Sequence, residues 1–300
     1  FVQLLENDPQ ADEIIVTARL SSFLDTWRMK KYQKPKNTRF LEDVKLYIPD
    51  VEIKSRIRLT LDKDDYLKDH VWRGSYLFPT VFGLEAMAQA VSYVTGKEDF
   101  NNTRIENIEL TRPIVVDKEK GTLIEITAEV LENRTEQGNL CIKAGITTEE
   151  TGFKIEHFSA TFVLNINEYS QTMDIDLPDK DIGINPKEDL YGWLLFQGEK
   201  FQKLDKIYKL NEKECVFSTS AEKGNWLLGD PYCRDSLLQS VQPSTLPDIS
   251  LPIHIGKIDL YNIFSQNELL GISIIEDKKE KEYSSTVTII DNKNTIIEKF

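Results

Sequence analysis

The sequence predicts an α+β fold made of two similar units, each a helix wrapped by an antiparallel sheet. Three observations carry that expectation. The segment 81–95 is apolar almost all round, as a fully buried helix is. Strand-like runs follow at 105–116, 122–132, 139–148 and 155–165, separated by turn residues. The same order, a helix placed early among strands, then returns in the second half.

Residues 1–40 read as the end of a preceding domain plus its connection. They hold a short strand-like run, Glu13-Ile14-Ile15-Val16-Thr17, then a polar stretch with Lys30, Lys31, Lys34, Lys36 and Arg39. That basic cluster fits a solvated linker or a dock for an acidic partner. The chain opens on Phe1-Val2-Gln3 with no signal-peptide features, as a piece of a longer polypeptide would.

The first unit is expected over 41–170. Partial alternation at Val51, Ile53, Ile57 and Leu59 marks a strand or hairpin. In the helix after Pro79 only Glu85, Gln89 and Ser92 are polar, and they share one line; Gly83, Ala86, Ala88 and Ala90 are small enough for a sheet to approach, and Gly96 is placed to end the helix. Lys120-Gly121, Gln137-Gly138 and Thr151-Gly152 mark the turns between the strands.

The second unit is expected over 171–300, after a polar connection at 166–187. It begins with an amphipathic piece, Leu190 to Leu195, and continues with strands at 204–210 and 214–220. Asp230 suits the N-cap and Pro231 the first position of its helix. Strand signals resume at 252–263, 268–275, 283–290 and 294–299.

Composition excludes several functions. A net charge of −13 on 300 residues opposes nucleic acid, whose phosphates would be repelled over most of the surface. No apolar run reaches the roughly 18 residues that a membrane span needs. Cys141, Cys215 and Cys233 are scattered, which argues for reduced thiols and a cytoplasmic setting; His70, His157 and His254 lack metal-ligand spacing, so no metal is expected.

Two places hold candidate chemistry. In Asp69-His70-Val71-Trp72-Arg73-Gly74-Ser75-Tyr76-Leu77-Phe78-Pro79-Thr80, a histidine able to exchange protons near neutral pH precedes a helix start whose free amides can polarise a carbonyl. In the second helix Asp235, Gln239 and Gln242 share a face. Each has a plainer reading. A lone histidine before a helix is more often a packing or surface residue, and a polar stripe ordinarily faces solvent.

His-x3-Gly-x4-Pro, as His70, Gly74 and Pro79, followed about 165 residues later by Asp-x3-Gln, as Asp235 and Gln239, resembles the dehydratase domains of polyketide synthases and animal-type fatty acid synthases. The match spans most of 41–300, including the Leu251-Pro252-Ile253 strand start. Leu84-Glu85-Ala86-Met87-Ala88-Gln89-Ala90 and Arg234-Asp235-Ser236-Leu237-Leu238-Gln239-Ser240 look more like the iterative synthases of the enediyne or polyunsaturated fatty acid kind. The resemblance implies a double hot dog fold. It also implies a β-hydroxyacyl substrate on the phosphopantetheine arm of an acyl carrier protein, with no other cofactor. By that analogy His70 removes the α-proton and Asp235 protonates the leaving hydroxyl, leaving an α,β-unsaturated thioester. The amides after Pro79, with that of Gly74, would stabilise charge on the thioester oxygen. The carrier protein, neighbouring domains of a megasynthase and a second copy of the chain are the partners implied.

One element departs from the family. Where members carry Tyr-Gly-Pro-x-Phe, this chain has Gln197-Gly198-Glu199-Lys200-Phe201, so Gln197 replaces the tyrosine that helps bind the hydroxyl. Two alternatives stay in play: a product-template-like aldol cyclase, also a double hot dog with histidine and aspartate, and an inactive scaffold domain, which the absent tyrosine favours.

Overall fold

The structure, a computed structural model, describes residues 33–35, 38–131, 139–166, 170–175, 177–247, 249, 251–263, 268–280 and 282–300. The segment expected to end a preceding domain, up to residue 32, lies outside them, as do Lys36 and the turn at Gln137-Gly138.

Strands β1 (Asp43–Ile48) and β2 (Glu52–Leu59) pair as a hairpin, and β3 (Val71–Trp72) and β4 (Ser75–Leu77) as a smaller one ahead of helix α1 (Thr80–Thr95). Then come β5 (Thr103–Leu110), β6 (Val115–Val116), β7 (Thr122–Val130), β8 (Leu140–Thr148) and β9 (Glu156–Leu164). The second half runs through α2 (Pro186–Asp189), β10 (Leu204–Leu210), β11 (Glu214–Ser220), α3 (Pro231–Gln239), β12 (His254–Leu260), β13 (Glu268–Lys279), β14 (Glu282–Ile290) and β15 (Ile296–Lys299).

Twelve strands form one antiparallel sheet in the order β1-β2-β7-β8-β9-β5-β12-β15-β14-β13-β11-β10. The first six come from the first half of the chain and the last six from the second. The seam is the β5–β12 pair, from Glu109↔His254 to Thr103↔Leu260, and Arg104 binds the buried Asp259 across it. A small second sheet, β3-β4-β6, carries the histidine segment.

Helix α1 is buried at thirteen of its sixteen residues, which leaves no solvent face and explains why its sequence lacks one. It packs against β7, β8, β2 and β9. A Cβ added at Gly83 would meet the Phe158 ring at 2.6 Å, so the small residue there is what lets β9 approach. Gly96 ends the helix in the left-handed conformation, φ 70°.

Four expectations change. The run at 105–116 is two strands, because Pro113 cannot donate to a ladder and the chain leaves the main sheet for the small one. Leu190 to Leu195 is a series of turns; the short helix lies one turn earlier, where Asn185 caps it and Pro186 fills its first position. Arg39 belongs to no solvated linker: its guanidinium binds both oxygens of Asp64, which is fully buried, and Phe40 and Leu41 are core residues. The Asp235, Gln239 and Gln242 stripe faces inward, with all three buried.

The polar line of α1 is also internal, and it ties the halves together. Glu85 accepts the backbone N–H groups of Leu227 and Leu228 and the Gln89 amide, each at 3.1 Å, while Gln89 accepts the Phe40 N–H at 3.2 Å. Arg234 donates to the Leu228 carbonyl and forms a two-pronged pair with Glu298 at 2.7 and 2.8 Å, with both side chains buried. Burial pushes the Glu85 carboxyl up to about 7 in spite of its donors. The raised value means that this carboxyl favours the fold most below about 4.5 and that the benefit drains as pH rises through about 7. Replacing Glu85 with alanine takes the acceptor from the buried Leu228 amide and the part-buried Leu227 amide, so Glu85→Ala is expected to lower stability by roughly 2–5 kcal/mol in denaturant unfolding. An unchanged midpoint would show that the bridge is not holding the halves.

Candidate active site

His70 sits where a 3-10 turn, Asp65–Asp69, gives way to the β3–β4 hairpin. The hairpin closes through Arg73 and Gly74, both with positive φ (48° and 81°), the geometry of a two-residue turn whose twist matches that of the strands. This turn brings the Leu77 carbonyl back to His70. Nδ1 lies 3.0 Å from that oxygen, and because a carbonyl only accepts, Nδ1 carries the proton and Nε2 keeps its lone pair. The ring is held by Phe196 and Phe201, with centroids at 5.0 and 5.3 Å.

Asp235 comes from α3 in the other half. Its Oδ2 accepts from Gln239 Nε2 at 2.7 Å and from Gln197 Nε2 at 3.4 Å. With Oδ2 occupied as an acceptor, the proton of the neutral acid belongs on Oδ1. Gln239 is fixed from behind: Tyr191 donates its hydroxyl to Gln239 Oε1 at 2.6 Å, and the second amide N–H reaches the Phe201 carbonyl at 3.1 Å.

The two halves meet closely here. Gly198 donates its N–H to the Asp69 carbonyl at 2.7 Å, and a Cβ at Gly198 would stand 2.9 Å from Asp69 Cα, closer than real contacts allow. Only glycine permits the loop of the second half to lie against the histidine segment of the first.

His70 and Asp235 line one cavity of about 260 Å³ with Leu77, Phe78, Leu194, Phe196 and Gln197. Burial lowers the pKa of His70, against the pull of Asp235, and burial raises that of Asp235, against the pull of His70 and its two amide donors. Burial therefore favours the neutral imidazole and the protonated acid, each against the attraction between their charged forms. A base and an acid face one water-poor space.

Of the residues singled out from sequence, His70, Asp235, Gln239 and Gln197 line this cavity, and Gly74, Pro79, Gly198 and Phe201 do not. Gly74 is exposed at the hairpin tip, so the expected contribution of its amide to a substrate oxygen gives way to a turn role. Pro79 precedes the first turn of α1, and Phe201 backs the His70 ring. Sequence reasoning missed Tyr191 and Phe196. Tyr191 carries no motif; its only signal was a buried-type tyrosine six residues before Gln197. Among the described residues no three histidines, cysteines or carboxylates gather as a metal site, and no helix is long and apolar enough to cross a membrane.

Two wrapped helices sharing one sheet, with an imidazole and a carboxyl group lining one cavity between the halves, define a double hot dog architecture. Comparison with known proteins gives the family. One family model, described as polyketide synthase dehydratase domain, matches residues 48–142, and a second, polyketide synthase dehydratase N-terminal domain, matches 175–300. The dehydratase domain from the CurF module of curacin polyketide synthase superposes with a TM-score of 0.68 at 15% identity, over 87% of this chain and 95% of that one. The dehydratase domain of a mycocerosic acid synthase-like polyketide synthase gives 0.67 at 16%, over 88% and 94%. An inactive mutant of the CurK dehydratase, with a histidine replaced by phenylalanine, gives 0.65 at 14%, over 87% and 95%. A second inactive CurK mutant, with an aspartate replaced by asparagine, also matches. No curated protein matches the chain in sequence. The chain belongs to the polyketide synthase dehydratase family and is a hydro-lyase acting on β-hydroxyacyl intermediates.

Two variants test how the site is held. Gly198→Ala forces the Gln197 loop off the histidine segment, and a fall in both melting temperature and turnover is expected; wild-type values in both would contradict the close approach. Tyr191→Phe frees the Gln239 amide to turn its oxygen toward the Asp235 proton, which raises the pKa of the acid further. Turnover is expected to fall several-fold and its alkaline limb to move to higher pH. A lower melting temperature with an unmoved limb would reduce Tyr191 to packing.

Proposed function

We propose that this chain removes water from a β-hydroxyacyl thioester borne on the phosphopantetheine arm of an acyl carrier protein, with His70 as base and Asp235 as acid. The observation that carries the reading is their meeting in one cavity with opposite pKa shifts. Nε2 of His70 takes the proton from Cα. The electron pair of that C–H bond becomes the Cα=Cβ bond, the Cβ–O bond breaks, and Asp235 delivers its proton to the hydroxyl, which departs as water. The imidazolium formed is stabilised by the Leu77 carbonyl at Nδ1.

Phe78 and Thr80, which flank the start of α1, line the cavity, and the unpaired amides at that helix start suit negative charge on the thioester oxygen. Gln197 stands where the family tyrosine would. Its Nε2 reaches Asp235 and its Oε1, buried and without a partner, suits the O–H of the departing group as an acceptor. The inactive histidine and aspartate variants of the CurK dehydratase favour the same two residue types. This chemistry asks for no cofactor beyond the arm of the carrier. Its partners are the carrier protein and the adjoining domains of a synthase; a second copy of the chain is not required by it.

The test is a β-hydroxyacyl pantetheine thioester given to the purified chain, with product mass read for the loss of one water. His70→Ala and Asp235→Asn are each expected to cut turnover by about 10²–10⁴ with the fold intact. The wild-type pH profile should be a bell. It should rise as His70 loses its proton, at a pH below the ordinary 6.5, and fall as Asp235 ionises, above the ordinary 3.8. Full activity in either variant removes that residue from the mechanism.

A further inference from the structure

Beyond the reacting pair, the cavity wall is Leu110, Pro113, Leu238, Ile249, Leu251 and Ile253. No lysine, arginine or glutamate lines it among the described residues. Its polar members on that side are already engaged. The Thr111 hydroxyl donates to the Glu156 carbonyl at 2.6 Å and lies 3.1 Å from that of His157. Gln242 gives its amide to Thr245 Oγ1 at 3.0 Å. Both N–H groups of Gln239 are committed, to Asp235 and to the Phe201 carbonyl. The polar atoms with spare capacity, on His70, Asp235, Gln197 and Thr80, belong to the hydroxyl and thioester end.

From this distribution we infer that the enzyme takes acyl groups whose chain beyond the β-carbon is hydrocarbon, and discriminates against chains that carry further carbonyl oxygens. A ketone oxygen placed against the buried Leu110 or the half-buried Leu238 gives up its hydrogen bonds to water and meets no free side-chain donor among the described residues, an uncompensated loss. A methylene in the same place only gains. Discrimination of this kind grows from an unpaired polar group and needs no clash. The inference rests on the dehydratase reading above and narrows its substrate class. It also opposes the cyclase alternative, because folding a poly-β-ketone chain requires donors for its oxygens along the wall.

The experiment compares two pantetheine thioesters of equal length: β-hydroxydecanoyl, and an analogue with one ketone placed four carbons past the hydroxyl. A kcat/KM at least about tenfold higher for the hydrocarbon chain is expected. Leu251→Asn, on the partly exposed rim, supplies a donor and should narrow the ratio by raising the value for the ketone. Equal or better dehydration of the ketone by the wild type overturns the substrate class and leaves the dehydratase reading standing. No dehydration of either thioester overturns that reading, and this one with it.

Discussion

The proposed elimination depends on one constraint: a carboxylic acid must stay protonated at a pH where an imidazole is already neutral. In water the order is reversed, since a free aspartate ionises more than two pH units before a free histidine loses its proton. Only burial moves both groups the right way, because removing water disfavours the charged form of each. Each group resists in the other's favour, the acid raising the histidine and the histidine lowering the acid, yet desolvation is the larger cause for both. A dry cavity between two halves of one chain is what the proposed chemistry demands.

That demand explains features far from the reacting atoms. The continuous sheet through β5 and β12, the Glu85 contacts to Leu227 and Leu228, and the Gly198 approach to Asp69 all fix one half against the other. Precision of this kind has a thermodynamic cost. The folded pKa of Asp235 lies above its ordinary value, so its contribution to stability is present at low pH and drains as pH rises through the folded value.

Much of this was legible in the sequence. The α1 pattern, apolar except along one line, could only be a buried helix, and the strands of both halves fell close to where alternation and turn residues placed them. His70 and Asp235 were found by motif. What pattern could not say was that they meet, because a contact between residues some 165 positions apart depends on the β5–β12 seam. The stripe at Asp235 and Gln239 was equally compatible with solvent until α3 was seen to face inward. Tyr191 was illegible for another reason: its task is to orient the Gln239 amide, and second-layer contacts leave no spacing in the chain. Arg39 misled because a basic run reads as solvated until its partner, Asp64, is known.

The central claim concerns a proton, and infrared spectroscopy can see it. A difference spectrum between the wild type and Asp235→Asn at neutral pH isolates the carboxyl of Asp235. The account predicts the carbonyl band of a protonated acid in a dry environment, giving way to the carboxylate bands only at a pH well above the ordinary range. Carboxylate bands already present at neutral pH would contradict it, because an ionised Asp235 has no proton to give.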